Sequence, residues 1–538
     1  MEKNKGKIIL LIILIIQCMY MVYWGTQKSG YYVDEFFTYD NAHYISQSTP
    51  KRQKLYDADY MEYGKWFTAE ELKSTLMVQK DEALLNDSFI HNVKSFVYTK
   101  PYMAILNYVE AIFFEGELNW WSSIIINIIF FLINQIVLYK LVMKISGKQT
   151  SAFLTMLIYG FCGMAVSMLV YVRFYMYATL LITLFTYLSL LIWDNEMLWR
   201  NIIFELLSLI TLYIAFRNSP LCAIYGASIV IGISAGLIIK RDWIKFSYYT
   251  LPIMLIGVLY VVFMTDYLSI FLNPQQMLAE GNLSVATSGL ISELVALNGS
   301  LFIDRVIQFL HIVCRFLFGH TIIVLVYALA FVILLILYVY NSKKEHKKNN
   351  EVTNAFNFIY IITGAVIIYT FASIGFNLSE IRYNSFIFPM ISLCVAVILM
   401  KLAENINKEK VLLIFISCAV IGEVFFTAYI PRIENLYIDD REGIEAIREC
   451  KGINSVVIDY KFDDRVMYEC IAYTDEQTKI MFMKYEDMEY TKLGDFVLIW
   501  QSVNDAPEDL ESDLIKAGYK TVQSIACTHE SKVFLCMK

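Results

Sequence analysis

Apolar runs about 20 residues long recur along the chain, separated by short polar stretches, and that spacing predicts a bundle of membrane-crossing helices. The expected spans are Ile8–Trp24, Trp121–Val142, Ala152–Val170, Phe174–Trp193, Ile202–Phe216, Leu221–Ile239, Tyr248–Met264, Thr321–Tyr340, Phe356–Phe376, Phe386–Leu402 and Val411–Ile430, eleven in all. A shorter run, Pro101–Phe114, is interrupted by Asn107 and Glu110 and reads as an interfacial helix. From about Pro431 the pattern becomes that of ordinary soluble sequence. There Asp440–Cys450 and Leu510–Ala517 are expected as helices, and Ser455–Tyr460, Asp495–Trp500 and Lys532–Met537 as strands. The expected fold class is an α-helical polytopic membrane protein (residues 1–430) with a small C-terminal α/β domain (431–538).

Composition supports the membrane reading, since 57% of the 538 residues are hydrophobic. The first run follows the basic start Met1-Glu2-Lys3-Asn4-Lys5-Gly6-Lys7, and no small-x-small cleavage site follows it, so an uncleaved anchor is expected. The net charge of −7 says little about partners, and nothing in the charge pattern suggests a nucleic-acid partner. The placement of Lys and Arg says more. If Pro101–Phe114 does not cross, the basic loops (Lys144 and Lys148; Arg200; Lys240, Arg241 and Lys245; Lys343 to Lys348; Lys401, Lys408 and Lys410) share one side. The positive-inside bias makes that side cytoplasmic. It puts the N-terminus inside, and the first loop (25–119), the 266–318 loop and the tail outside. High Lys, Ile and Asn content fits a bacterial plasma membrane. Six of ten cysteines lie in or beside apolar runs, and none has metal-like spacing; the tail's Cys450, Cys470, Cys527 and Cys536 leave any disulfide pairing open.

Four clusters fall on the expected outer side. The acidic pair Asp34-Glu35 lies in the aromatic run Tyr31 to Tyr39, with Asp40 and His43 after it; Tyr98-Thr99-Lys100-Pro101-Tyr102 opens the interfacial helix. Val172-Arg173-Phe174-Tyr175-Met176-Tyr177 joins two spans, and Glu380-Ile381-Arg382-Tyr383 precedes a late one. Singly, each has an ordinary explanation: solvated acids, cations snorkelling to headgroups, tyrosines at the interface. Together they place acids, cations and aromatics on the side where cations are scarce. Lys100, Arg173 and Arg382 could neutralise a phosphate at headgroup level, and Asp34 could act beside it as a general base.

In order and sidedness these motifs resemble the GT-C membrane glycosyltransferases, within them the protein O-mannosyltransferase and lipid A aminoarabinose transferase type. The features compared are Asp34-Glu35 after the first span, Lys100-Pro101-Tyr102 opening a helix, Arg173-Phe174-Tyr175-Met176-Tyr177 at a span junction, and Arg382-Tyr383. A second proline usual after Lys-Pro is here Tyr102. The resemblance covers roughly residues 1–430. It implies transfer of a sugar from a polyprenyl-phosphate-linked donor to a glycan, protein or glycolipid acceptor at the outer face. Asp34 would be the base and Glu35 an orienting partner, with inversion at the anomeric carbon. Lys100, Arg173 and Arg382 would hold the donor phosphate, and Tyr102, Tyr175, Tyr177 and Tyr383 would contact substrate. Phosphate leaves readily once its charge is stabilised, so one base suffices, unlike the carboxyl pair of hydrolases.

No cofactor is expected. Some relatives bind a divalent cation through first-loop acids, but Arg173 stands where a second acid would be needed, so no metal is assigned. Competing readings are a transporter or lipid flippase, which should show paired halves with matching broken helices, and a non-catalytic subunit of the same fold. Arg305, His311 and Arg315 lie on a segment with helical apolar spacing, where snorkelling is the expectation; Glu205 and Glu423 fall inside spans and carry no assignment.

Overall fold

The computed structural model describes residues 2–43, 63–78, 101–219, 221–263, 298–342, 354–375, 380–429, 433–459, 464–487, 493–503 and 510–538. The chain divides into two compact units. One comprises Met1–Met21, Ile128–Met168 and Tyr175–Ile433; the other comprises Val22–Asn127, Leu169–Phe174 and Glu434–Lys538.

The first unit is helical. Among the described residues of the whole chain, eight helices are long and apolar enough to cross a membrane, or ten if each of two bent pairs is one span. The described parts of all eleven expected segments fall mainly on helices, Tyr248–Met264 on the helix Trp243–Phe263. One expected span and one expected side-chain role, that of Arg305, need correction. Ala152–Val170 is not one rod but two helices, Gln149–Gly160 and Gly163–Val170, bent by 55°. The break falls between two glycines, where helical propensity is weakest, and Gln17 Nε2 donates to the Met156 carbonyl (2.8 Å) in the turn before it. Thr321–Ser342 is preceded by a separate helix, Gly299–Leu317, at 96°, with Gly319 in the left-handed region (φ 67°) between them. Arg305, on that preceding helix, does not snorkel. It is buried, and its guanidinium donates to the carbonyls of Ile374 and Gly375, both at 3.1 Å. The C-terminal carbonyls of the helix Asn354–Gly375 have no partners within their own helix, and a cation there satisfies them.

Close packing within this unit rests on small residues. A Cβ at Gly232 would stand 2.7 Å from Ile361 Cγ2, and one at Gly236 2.6 Å from the Trp193 ring. The helix Leu221–Lys240 therefore uses a Gly-x-x-x-Gly face to bring backbones together, the usual substitute for a hydrophobic drive among helices already in lipid.

The second unit contains a six-stranded mixed sheet in the order β1-β3-β2-β4-β6-β5. Its strands are β1 (Trp66–Thr68), β2 (Ser455–Asp459), β3 (Lys479–Lys484), β4 (Phe496–Ser502), β5 (Thr521–Cys527) and β6 (Ser531–Met537). β2 runs parallel to β3 and β4, and the other pairs are antiparallel. The five tail elements expected from the sequence are present. The helix Asp464–Tyr473 and strands β1, β3 and β5 were not expected. β1 comes from the first loop and pairs with β3, Phe67 opposite Ile480. One sheet face packs Val456, Ile458, Val497, Ile499 and Phe534 with Leu510 and Leu514 of the last helix. On the other, the helix Asp464–Tyr473 buries Cys470 and Ile471, while Trp500 Nε1 donates to Ser455 Oγ (3.2 Å). Burial on both faces explains why the central strands are continuous apolar runs rather than alternating ones. All four tail cysteines are free thiols.

Candidate active site

The acidic pair opens a helix, Val33–Ala42, and the two carboxylates have opposite surroundings. Glu35 is fully buried. Its Oε1 accepts from Lys28 Nζ (3.0 Å) and the Val172 amide (2.7 Å); its Oε2 accepts from Lys28 Nζ (3.1 Å) and the Tyr32 amide (2.8 Å). The Tyr32 bond closes the first helical turn onto its own cap residue. Lys28, equally buried, also donates to the Asn435 carbonyl (2.8 Å). Burial raises the Glu35 carboxyl above its ordinary range, opposed by the Lys28 charge and the amide bonds. Burial lowers the Lys28 ammonium, opposed by Glu35. One carboxylate thus ties the chain after the first helix, the helix start, the Val172 junction and, through Lys28, the start of the tail.

Asp34 retains 21% side-chain exposure. Its Oδ2 accepts from the Tyr171 hydroxyl at 3.1 Å and lies 3.4 Å from Arg173 Nη2. Arg173 Nη1 donates to the Asp34 carbonyl (2.7 Å) and to Thr38 Oγ1 (3.2 Å), so the guanidinium grips both the carboxylate and the helix backbone. A carboxylate held by a hydroxyl and a guanidinium, while still reachable from solvent, is suited to receive a proton from an approaching hydroxyl.

The 169–174 junction is itself held. Asn127 Nδ2 donates to the carbonyls of Leu169 and Tyr171, each at 3.0 Å, and its Oδ1 accepts from the Tyr102 hydroxyl (3.3 Å). Tyr102 is fully buried, and its hydroxyl also bonds Ser123 Oγ (2.5 Å). It sits behind the junction. The segment expected to be interfacial is a helix of 13 residues, Pro101–Phe113, which at about 1.5 Å per residue is too short for a bilayer core. Its two polar interruptions face inward: Glu110 pairs with His43 (2.5 Å) and hydrogen-bonds Ser122, and Asn107 donates to the Ala42 carbonyl (3.1 Å) and contacts His43 Nδ1 (3.2 Å). The far end of the acid helix is thereby fixed too. Phe36 stacks on Tyr468 of the tail helix (5.2 Å, 9°), and the Tyr473 hydroxyl accepts from the Tyr31 amide (3.0 Å).

The structure brings Asp34, Glu35 and Arg173 together. Lys100 lies outside the described residues. Tyr175, Tyr177, Arg382 and Tyr383 belong to the helical unit. There Tyr177 stacks on Phe130 (4.5 Å), Tyr175 is buried, Arg382 pairs with Glu380, and the Tyr383 carbonyl accepts from Tyr369 (2.7 Å). Lys28, Tyr171 and Asn127 are the site's unexpected members. Lys28 carries a readable signal, a charge directly after an anchor and seven residues before an acid; Tyr171 and Asn127 look like ordinary interfacial and span residues. Among the described residues, no three His, Cys, Asp or Glu side chains stand where they could hold a metal ion.

The described helices and the six-stranded sheet of the second unit together give a multi-pass helical architecture with a C-terminal sheet. The crystal structure of ArnT from Cupriavidus metallidurans bound to undecaprenyl phosphate aligns over 99% of this chain and 97% of its own, with a TM-score of 0.55 and 12% identity. The apo state of the same protein aligns over 99% and 98%, with a TM-score of 0.54 and 10% identity. At those identities the likeness is one of fold. No protein-family model matches the sequence, and no curated protein matches it significantly.

Proposed function

We propose that the protein is a membrane glycosyltransferase that moves a sugar from a polyprenyl-phosphate-linked donor to an acceptor hydroxyl, with inversion. The observation that carries this reading is the pairing of a partly exposed Asp34 with a buried, fully bonded Glu35 on one helical turn. Supporting it are the ArnT-type fold and the polyprenyl phosphate bound by that neighbour.

The acceptor oxygen attacks the anomeric carbon, and the carbon–oxygen bond to the phosphate breaks. The acceptor proton passes to Asp34, and polyprenyl phosphate departs with the bonding pair. Tyr171 and Arg173 hold the Asp34 carboxylate toward the acceptor, and Glu35 with Lys28 fixes the turn that presents it. Tyr102 acts through Asn127 on the same junction. Lys100 and Arg173 are assigned to the developing phosphate charge. The site faces the outer side, where no nucleotide sugar is available and the activated sugar must arrive on a lipid.

Mass spectrometry of envelope glycans from cells with the gene, without it, and carrying Asp34→Asn tests the proposal. A sugar present with the wild type and missing from the other two, at equal protein level in the membrane, is the expected outcome. Normal transfer by Asp34→Asn removes Asp34 as the base. Loss of the sugar on deletion with donor lipid accumulating on the inner leaflet, and normal transfer by Asp34→Asn, favours the flippase reading.

A further inference from the structure

Beside Asp34 lies a group of aromatic rings that the transfer reaction itself does not use. Tyr32, the cap residue of the acid helix, has its ring 6.4 Å from that of Tyr171, whose hydroxyl reaches Asp34. On its other side Tyr32 lies 6.3 Å from the imidazole of His529, and His529 lies 5.3 Å from the ring of Tyr437. Tyr32 and Tyr437 are partly exposed, and the His529 side chain is 52% exposed.

These rings are held in place from behind. His529 sits at the tip of the turn between β5 and β6, which is closed by the Thr528 amide on the Ser531 carbonyl (2.8 Å). The turn is tethered by the His529 amide on Asp440 Oδ2 (3.0 Å) and by Thr528 Oγ1 on Glu469. Tyr437 has left-handed backbone angles (φ 53°, ψ 40°), which a residue with a side chain adopts only against steric opposition. That conformation is imposed by its neighbours. Lys28 Nζ lies 5.5 Å over the Tyr437 ring and holds the Asn435 carbonyl, and Gly30 passes so close that a Cβ there would stand 3.0 Å from the Tyr437 Cβ. Backbone strain kept at the edge of a candidate site is a common mark of a binding surface. The three rings form a row, Tyr32 to His529 to Tyr437, and Tyr32 lies two residues before the partly exposed Asp34 carboxylate.

We propose that Tyr32, His529 and Tyr437 form a platform for a sugar ring of the acceptor, so that the acceptor is a carbohydrate. A pyranose has one face of C–H groups and a rim of hydroxyls. The rings offer apolar faces to the first, while the partly exposed Asp34 and the partly exposed Arg465, which pairs with the buried Glu530 next to His529 (3.4 Å), offer polar groups to the second. This rests on the transferase reading, because it places an acceptor hydroxyl next to Asp34, and it gives the tail hairpin a part in choosing the acceptor.

The test is saturation-transfer NMR on the full-length protein in nanodiscs, with methyl glucopyranoside, methyl galactopyranoside and methyl mannopyranoside as probes. At least one probe should receive saturation at its ring C–H protons above the level of empty nanodiscs. Tyr437→Gly and His529→Ala should each weaken that signal by about fivefold to tenfold. His529→Phe, which keeps a ring, should restore it. Tyr437→Gly suits the purpose because glycine takes the left-handed backbone freely; its thermal transition, measured alongside, should match that of His529→Phe. No signal from any probe, equal signals in wild type and both ring-deleting variants, or a signal with a tyrosine-containing peptide but no sugar overturns the proposal. Each of these outcomes leaves the glycan test of Asp34→Asn unaffected.

Discussion

Two adjacent carboxylates, Asp34 and Glu35, are separated by their surroundings into different tasks. Glu35 accepts four hydrogen bonds in a site closed to water and shapes the backbone around it. Removing one partner of such a pair leaves a buried charge uncompensated, at a cost of about 3–5 kcal/mol. Lys28→Met should therefore lower the thermal transition of the purified protein markedly, and Lys28→Met with Glu35→Gln should recover part of the loss. A single variant as stable as the wild type would show that the pair holds nothing together. Asp34 depends instead on its orienting neighbours. Tyr171→Phe removes one hydroxyl donor to a charged group, and transfer should slow roughly tenfold or more with the acceptor KM little changed. A change in KM alone would move Tyr171 from positioning to binding. The acid pair was legible in the sequence because charge is conspicuous beside an anchor. The roles of Asp34 as base and Glu35 as orienting partner came from the family resemblance; the contacts that set the two apart, from Lys28, Val172 and Tyr171, were not legible, because nothing in their local sequence says which carboxylate they will meet.

Helices were the most legible elements, since their length and apolar character are dictated by the hydrocarbon they cross. Their breaks were less so: the two-helix form of 149–170 depends on Gly160 and Gly163, which in lipid are as often packing residues as hinges. The Gly232–Gly236 face shows that second use. Gly232→Leu would drive a branched side chain into Ile361, and overpacking of this kind costs about 1–3 kcal/mol; a lower thermal transition without loss of membrane insertion is the expected result. Among strands, β2, β4 and β6 stand out as β-branched and aromatic runs. β3 (Lys479–Lys484) and β5 were hidden, the first by two methionines and flanking lysines, the second by a polar, half-exposed face. β1 has only three residues, and no local pattern identifies a strand whose partner is in the tail.

For the molecule as a whole, the tail contributes a titrating group of its own. Burial pushes the Glu469 carboxyl up to about 8, against the hydrogen bond from Thr528 Oγ1. A carboxyl raised in the folded state binds its proton more tightly than in the unfolded chain. Its contribution is therefore complete below the ordinary carboxylate range and is lost as pH rises toward 8. The wild type should lose stability relative to Glu469→Gln between pH 5 and pH 8, by an amount on the order of a few kcal/mol, read as diverging thermal transitions. Parallel curves would show that Glu469 is already ionised in the folded protein at pH 5.

The edge strand β1 and the Lys28–Asn435 bond, which joins residues 407 positions apart, set an order for biogenesis. The segment that supplies β1 leaves the ribosome early, yet its pairing partner is among the last parts to be made. Until the tail after the last span is synthesised, the acid helix lacks its Tyr468 stacking partner and Lys28 its Asn435 acceptor. Maturation of the site must then follow insertion of every helix, so a chain truncated after the last span but before Asn435 would enter the membrane intact and remain inert.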